Sequence, residues 1–384
     1  METYSLLHLL IILYSYTMVF NFNHGFAAKS CEFPAVFNFG DSNSDTGGLA
    51  AAFFPPNSPY GETFFHTPAG RYCDGRLIID FIAGSLGLEY LSPYLESVGS
   101  NFTYGADFAT AASTITPQAR GLTQGGFSPF YLQVQYSQFQ QLKSRSQKFR
   151  NLGNIYAEVL PKNEVISQAL YTFGQNDLGA GFFGNLSIEE VNATIPDIIN
   201  QFSIDFKSVY DEGARSFWIH NTGPIGCLPY VLANFSVKPS EYDSAGCAIP
   251  YNTVAEYFNQ KLKDLVIQLR KELTSATIIY VDVYSVKYNL ISQASKYGFE
   301  QPHVACCGYG LNKYNYNGTA VCGGTINING TQILVGACEN PSVRVNWDGV
   351  HYTEAANKWI FDKIINGNFS DPPVPLRMAC NQFA

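Results

Sequence analysis

The chain has 384 residues, 46% hydrophobic and only 14% charged. That is enough apolar material for a sizeable core and excludes a disordered chain. The net charge is −8 with no cluster of Lys or Arg, which argues against nucleic acid or an anionic membrane as partner. Aromatic residues make up 15% of the chain. The abundant Tyr suits sugar-facing or amphipathic ligand surfaces, and buried aromatics account for the same composition. An apolar run over residues 6–20 is short for a membrane span. Small residues Gly25, Ala27 and Ala28 follow it, although the start carries Glu2 and no basic residue. Residues 1–28 read as a secretory signal and 29–384 as one mature domain. That places the protein outside the cell, in wall or apoplast, or in a vacuole, with no stable membrane anchor. Seven Asn-X-Ser/Thr sequons, at Asn101, Asn185, Asn192, Asn234, Asn317, Asn329 and Asn368, agree with export. Nine cysteines lie beyond the leader. No Cys-x-x-Cys pair or histidine spacing favours zinc, so up to four disulfides are expected, with Cys73 left over.

The first strand is expected over 35–39. It breaks at Gly40 into Gly40-Asp41-Ser42-Asn43-Ser44-Asp45. Residues 47–70, rich in Pro, Gly and aromatics, form a long loop. A largely apolar helix follows over 77–86, with Asp74 or Gly75 near its start. A short strand at 107–109 leads into the small-residue turn Thr110-Ala111-Ala112-Ser113. An amphipathic helix spans 131–148. A strand at 169–173 ends in Gly174-Gln175-Asn176-Asp177. Helical spacing over 188–210 is interrupted by Pro196, which should kink or divide it. Then come a strand at 216–220, a long helix over 252–273, a strand at 277–283 and a helix over 285–297. The segment 306–341 reads as an irregular, disulfide-tied excursion. A last helix runs over 353–365, with Thr353 as its N-cap. Five strands, each followed by helical material, predict one α/β domain with a parallel sheet. No linker, repeat or heptad run divides it.

A hydrophobic strand ending in Gly40-Asp41-Ser42 puts a serine at the carboxyl edge of the sheet, where ligands of open α/β folds bind. Serine is a weak nucleophile until a base takes its proton, and that base needs an orienting partner. Of the six histidines, His351 stands out. It lies three residues after Asp348 in Trp347-Asp348-Gly349-Val350-His351, so one short turn can supply both base and carboxylate.

Together with Gly174-Gln175-Asn176-Asp177 and the turn at 110–113, these blocks resemble the plant GDSL esterase/lipase family of the SGNH hydrolase superfamily. The resemblance covers nearly the whole mature chain. It is strongest to the early-nodulin-like branch, which includes proteins named acetylesterases and, historically, α-fucosidases. It rests on Phe37-Asn38-Phe39-Gly40-Asp41-Ser42, Trp218-Ile219-His220-Asn221-Thr222-Gly223-Pro224 and the Trp347 to Thr353 block. The resemblance implies a three-layer α/β/α sandwich around a mainly parallel five-stranded sheet. It implies a Ser-His-Asp carboxylic ester hydrolase with Ser42 as nucleophile, His351 as base and Asp348 as its carboxylate. The oxyanion hole would come from the Ser42 N–H, the Ala111 N–H and the Asn176 side chain. No metal or nucleotide cofactor is implied. The expected substrate is an acyl or acetyl ester of a carbohydrate or glycosylated small molecule, met by a monomer.

The sequence departs from the family pattern in three places. Ala111-Ala112 stands where the second block usually carries glycine. Asp107 replaces an asparagine common in this branch. The third block lacks two residues before Gly174, which should set Asn176 back and weaken hydrolysis. The alternatives are an acyltransferase using the same acyl-enzyme, or a secreted glycoprotein that has lost the chemistry. A glycosidase would need two opposed carboxylates instead.

Overall fold

A computed structural model describes residues 30–119, 121–122, 126–153, 155–173 and 176–380. The expected leader lies outside them. The strands are β1 (Val36–Phe39), β2 (Gly105–Asp107), β3 (Leu170–Phe173), β4 (Ser216–His220), β5 (Thr277–Val281), β6 (Thr325–Ile328), β7 (Thr331–Leu334) and β8 (Ser370–Asp371). The central sheet runs β2-β1-β3-β4-β5-β8. Its first five strands are parallel, and β8 joins β5 antiparallel. Five of the six strands are expected ones, although β2 lies two residues earlier than the 107–109 expected for it. The two-residue edge strand β8 has no apolar alternation to betray it. It forms because the tail after the last helix returns alongside β5, where Arg270 holds the Asp371 side chain.

The helices are α1 (Gly48–Ala52), α2 (Ile78–Ser85), α3 (Leu132–Asn151), α4 (Asn163–Gln168), α5 (Asp177–Phe183), α6 (Ile188–Asp211), α7 (Pro229–Asn234), α8 (Ile249–Glu272), α9 (Val283–Ser292) and α10 (Glu354–Ile364). Side chains alternate along the strands. Phe37, Phe39, Tyr171 and Phe217 pack on one face beneath α3, α6 and α8. Val36, Leu170, Trp218 and Ile279 pack on the other beneath α2, α9 and α10. The result is the expected three-layer sandwich, and every parallel strand points its carboxyl end toward one edge.

Four local expectations change. The loop expected over 47–70 opens with a short helix, α1 (Gly48–Ala52). Helix α6 is not divided at Pro196 but continues as one helix from Ile188 to Asp211, because Val191, Ile195, Ile198 and Phe202 bury against the core and outweigh one lost backbone bond. Asp74 does not cap α2. Its carboxylate accepts the Glu354 N–H at the start of α10 (2.7 Å) and joins two distant segments. The 306–341 excursion is not wholly irregular, since β6 and β7 form a hairpin within it. Four disulfides pair Cys31–Cys380, Cys227–Cys247, Cys306–Cys338 and Cys307–Cys322, and Cys73 is free and buried. Of the sequon asparagines, Asn185, Asn234, Asn317, Asn329 and Asn368 are exposed, and Asn101 and Asn192 are half-buried.

Candidate active site

β1 delivers the serine. The turn after it is clamped by Gln135 of α3, which accepts the Gly40 N–H (2.9 Å) and donates to the Gly40 carbonyl (2.8 Å). Ser42 emerges beyond that clamp, and its hydroxyl lies 2.8 Å from His351 Nε2. His351 Nδ1 lies 2.6 Å from Asp348 Oδ2. The two segments are 309 residues apart in sequence and meet at the sheet edge.

The Asp348 turn is built to hold that geometry. Asp348 Oδ1 accepts the N–H groups of Val350 (3.0 Å) and His351 (2.9 Å). Gly349 has φ +101°, and a Cβ there would fall 2.1 Å from the Tyr316 ring, so only glycine fits. Tyr60 donates its hydroxyl to Asp348 Oδ2 at 2.8 Å and packs edge-on against Trp347. The disulfide-rich segment braces the turn from behind: the Cys306 and Cys307 N–H groups donate to the carbonyls of Asn346 and Trp347. Tyr60 lies in a loop 288 residues away, and nothing local in the sequence marks it.

Burial opposes charge on both members of the pair, but their contact outweighs it. The His351 ring and the backbone donors hold Asp348 down at about 2. The Asp348 carboxylate keeps His351 above its ordinary value. The other described histidines are not in this line. His303 bonds the carbonyls of Cys227 and Ala245, His66 the carbonyl of Glu62. His220 is held near 3 by burial, and its Nε2 has no partner.

Beneath the serine turn lie two buried carboxylates. Asp45 accepts the N–H groups of Gly47 (2.7 Å), Gly48 (2.5 Å), Leu49 (3.2 Å) and Ala111 (2.6 Å). Asp107 accepts Asn38 Nδ2–H (2.6 Å), the Thr46 N–H (2.6 Å) and the Ala109 N–H (2.9 Å). This corrects the expectation for Ala111, whose N–H is spent on Asp45 and cannot also serve an oxyanion. The next residue, Ala112, has φ +60° and donates its N–H to no acceptor among the described residues. That left-handed backbone, which favours glycine, is carried here by an alanine, and nothing in the sequence marks it.

Ser42, Ala112, Asn176 and His351 all line one cavity of about 370 Å³. Its remaining wall is largely apolar, with Leu49, Phe54, Phe127, Phe183, Ile225 and Tyr230. Asn176 occupies the N-cap of α5 but does not cap it, and its side-chain amide donates to nothing among the described residues. The next residue, Asp177, ties α5 to the chain after the second block through Ile115 and Thr116. Gly174 and Gln175, beside which the third block is expected to be short, lie outside the described residues.

A sequence model described as GDSL-like Lipase/Acylhydrolase matches residues 36–364. The chain belongs to the GDSL lipase/acylhydrolase family. It is 62% identical over 361 residues to an "Esterase" of Hevea brasiliensis, covering 93% of this chain and 91% of that one. It is 56% identical to "GDSL esterase/lipase ENOD8" of Medicago truncatula, with 92% of each chain covered. It is 54% identical to "Alpha-L-fucosidase 3" of Arabidopsis thaliana, over 88% of this chain and 92% of the relative. The early-nodulin likeness read from the motifs agrees with these relatives. As a GDSL esterase/lipase, the protein is a carboxylic ester hydrolase. Among the described residues no helix is long and apolar enough to cross a membrane.

Proposed function

We propose that the protein is a secreted, glycosylated esterase in which Ser42, His351 and Asp348 act in sequence. The Ser42 oxygen attacks the ester carbonyl carbon as His351 Nε2 takes its proton. Asp348 holds the ring and offsets the imidazolium charge. The tetrahedral oxyanion is met by the N–H groups of Ser42 and Ala112 and by Asn176 Nδ2–H. Each such donor contributes about 2.7–4 kcal/mol in sites of this kind. Collapse expels the alcohol with the proton from His351 and leaves an acyl-serine. Water, deprotonated by the same ring, then releases the carboxylic acid and restores the serine. The observation that carries this reading is the continuous line of 2.8 Å and 2.6 Å contacts from Ser42 through His351 to Asp348.

The apolar wall favours an ester with an acyl chain or aromatic ring that fills the cavity. A glycosylated small molecule fits if its sugar stays at the mouth, and this is the carbohydrate ester we favour. A glycosidase is disfavoured. Asp177 is the single carboxylate among the described residues lining the cavity, and it is bonded to the Ile115 and Thr116 N–H groups. Two opposed carboxylates would be needed. Export is supported by the four disulfides, which persist in oxidising compartments, and by five exposed sequon asparagines. The test is Ser42→Ala, followed by labelling with a fluorophosphonate and by p-nitrophenyl ester hydrolysis. Both should vanish while the thermal midpoint holds. Undiminished labelling of the variant would refute the assignment.

A further inference from the structure

The least expected side chain near the site is Lys287. It projects from α9 and is only 8% exposed, although lysine is almost never buried without a partner. Its Nζ lies 4.5 Å from the centre of the Tyr352 ring. Among the described residues it has no hydrogen-bond acceptor and no carboxylate within ion-pair distance. Its stem passes over Gly223, where a Cβ would fall 3.0 Å from Lys287 Cδ, so the chain leaves room for this lysine.

Lys287 stands at a junction. It lines the apolar cavity that holds Ser42 and His351. It also lines a second cavity, of about 70 Å³, behind the serine turn, with Asp41, Thr172 and His220. The two cavities share Asn43, Thr222, Gly223 and Lys287. The charged and titratable groups that face Lys287 are Asp41 from the β1 turn, His220 from β4, and His351 and Tyr352 ahead of α10. Asp41 has already committed one oxygen to the N–H (2.8 Å) and Nδ2–H (2.9 Å) of Asn43. His220 is neutral. Burial lowers Lys287 to about 8, with Asp41 opposing, so the ammonium still dominates at neutral pH.

An ammonium has three donors and no acceptor, and burying it unpaired is costly. The missing acceptor is what a substrate can bring. We propose that Lys287 receives a carboxylate borne by the ester substrate, so that the site selects esters carrying a carboxylate close to the scissile bond. This rests on Ser42 as nucleophile. The carboxylate can belong to the acid part, as in the half-ester of a short dicarboxylic acid. It can equally belong to the alcohol part, as in an acylated phenolic acid.

Two matched pairs test this. Mono-4-nitrophenyl succinate against its methyl ester probes the acid side. 4-Acetoxybenzoate against methyl 4-acetoxybenzoate probes the alcohol side. For the natural protein, kcat/KM should favour the charged member of one pair by about tenfold or more, as for a hydrogen bond to a charged group. The pair that responds identifies the source. Lys287→Met should abolish that ratio and Lys287→Arg should keep it. The ratio should also decline as pH rises through about 8, where the ammonium loses its proton. The acid limb set by His351 acts on both members and cancels. Calorimetric binding of succinate against dimethyl succinate to the natural protein and Lys287→Met gives the same comparison without chemistry. Ratios near one for both pairs, or a ratio unmoved in Lys287→Met, would overturn the proposal. Loss of turnover on all four esters, with succinate still bound through Lys287, would instead count against Ser42 as nucleophile.

Discussion

Asp107→Asn should flatten the pH dependence of stability. Asp107 is 1% exposed, faces no cation in its hydrogen bonds and lies close to the equally buried Asp45. Burial and then the Asp45 charge push it from 3.8 to about 8, and burial pushes Asp45 to about 6. A folded value above the unfolded one means that the fold holds the proton more tightly. The associated stability is complete below the unfolded value and is lost as pH rises through the folded one. Each pH unit between them costs about 1.4 kcal/mol, so Asp107 alone removes up to about 4 kcal/mol between roughly pH 5 and pH 8. Asparagine does not titrate, and its carbonyl oxygen can still accept from Asn38 and Ala109. The Thr46 N–H loses its acceptor, a cost of about 1 kcal/mol at any pH. The variant should therefore be slightly less stable below about pH 4, about as stable near pH 5 and more stable by roughly 4 kcal/mol near pH 8. For a chain of 384 residues that is about 5 °C in thermal midpoint. The assay is a set of denaturant melts and thermal scans across that range with disulfides intact. Parallel pH profiles for the two proteins would refute the reasoning.

Ester hydrolysis should fall on the acid side with a midpoint above 6.5, because the base must be neutral and Asp348, against the effect of burial, raises His351. A kcat profile with its acid limb below 6 would contradict this, and His351→Gln should be inactive throughout. Tyr60→Phe removes one hydrogen bond to a charged acceptor, worth about 1.5–3 kcal/mol. It should lower kcat about tenfold or more by loosening the Asp348 turn, with KM little changed; steady-state kinetics on a p-nitrophenyl ester would show an equal rise in KM if Tyr60 bound substrate instead.

The parts of this molecule that could be read from sequence are those whose cause is local. The strands β1, β3, β4 and β5 announce themselves as apolar runs ending in glycine or polar turns. Asp348 and His351 are legible because three residues of spacing and a glycine put both on one turn. Thr353 caps α10 as expected, accepting the Ala356 N–H. What stayed hidden depends on chain brought from far away. Tyr60 reaches Asp348 only once the fold is complete. Asp45 takes the Ala111 N–H across 66 residues, which leaves the Ala112 N–H as the one with no acceptor among the described residues. Lys287 lies in a stretch expected to be helical, and its burial shows only once α9 packs against the site. Pro196 does not divide α6 for the converse reason: the burial of its apolar face outweighs a local rule.

The shortened third block can be settled through Asn176. β1 and β3 run in register, with Phe39 opposite Phe173. Ser42 lies three residues beyond Phe39, and Asn176 three residues beyond Phe173. The two residues are thus equally far past paired positions, and both line the same cavity. Two extra residues would have placed the asparagine roughly 6.6 Å farther along an extended chain. An oxyanion donor works only within about 2.7–3.1 Å of the developing charge. If the short connection keeps Asn176 in reach, Asn176→Ala should cost about 10²–10³ in kcat with little change in KM. Inserting Asp-Ile between Phe173 and Gly174 should then gain nothing. If Asn176→Ala changes kcat less than about threefold and the insertion raises it toward the expected factor, the deletion has removed the donor. We expect the first pattern, because the amide of Asn176 has no other partner among the described residues and faces the cavity that holds the serine.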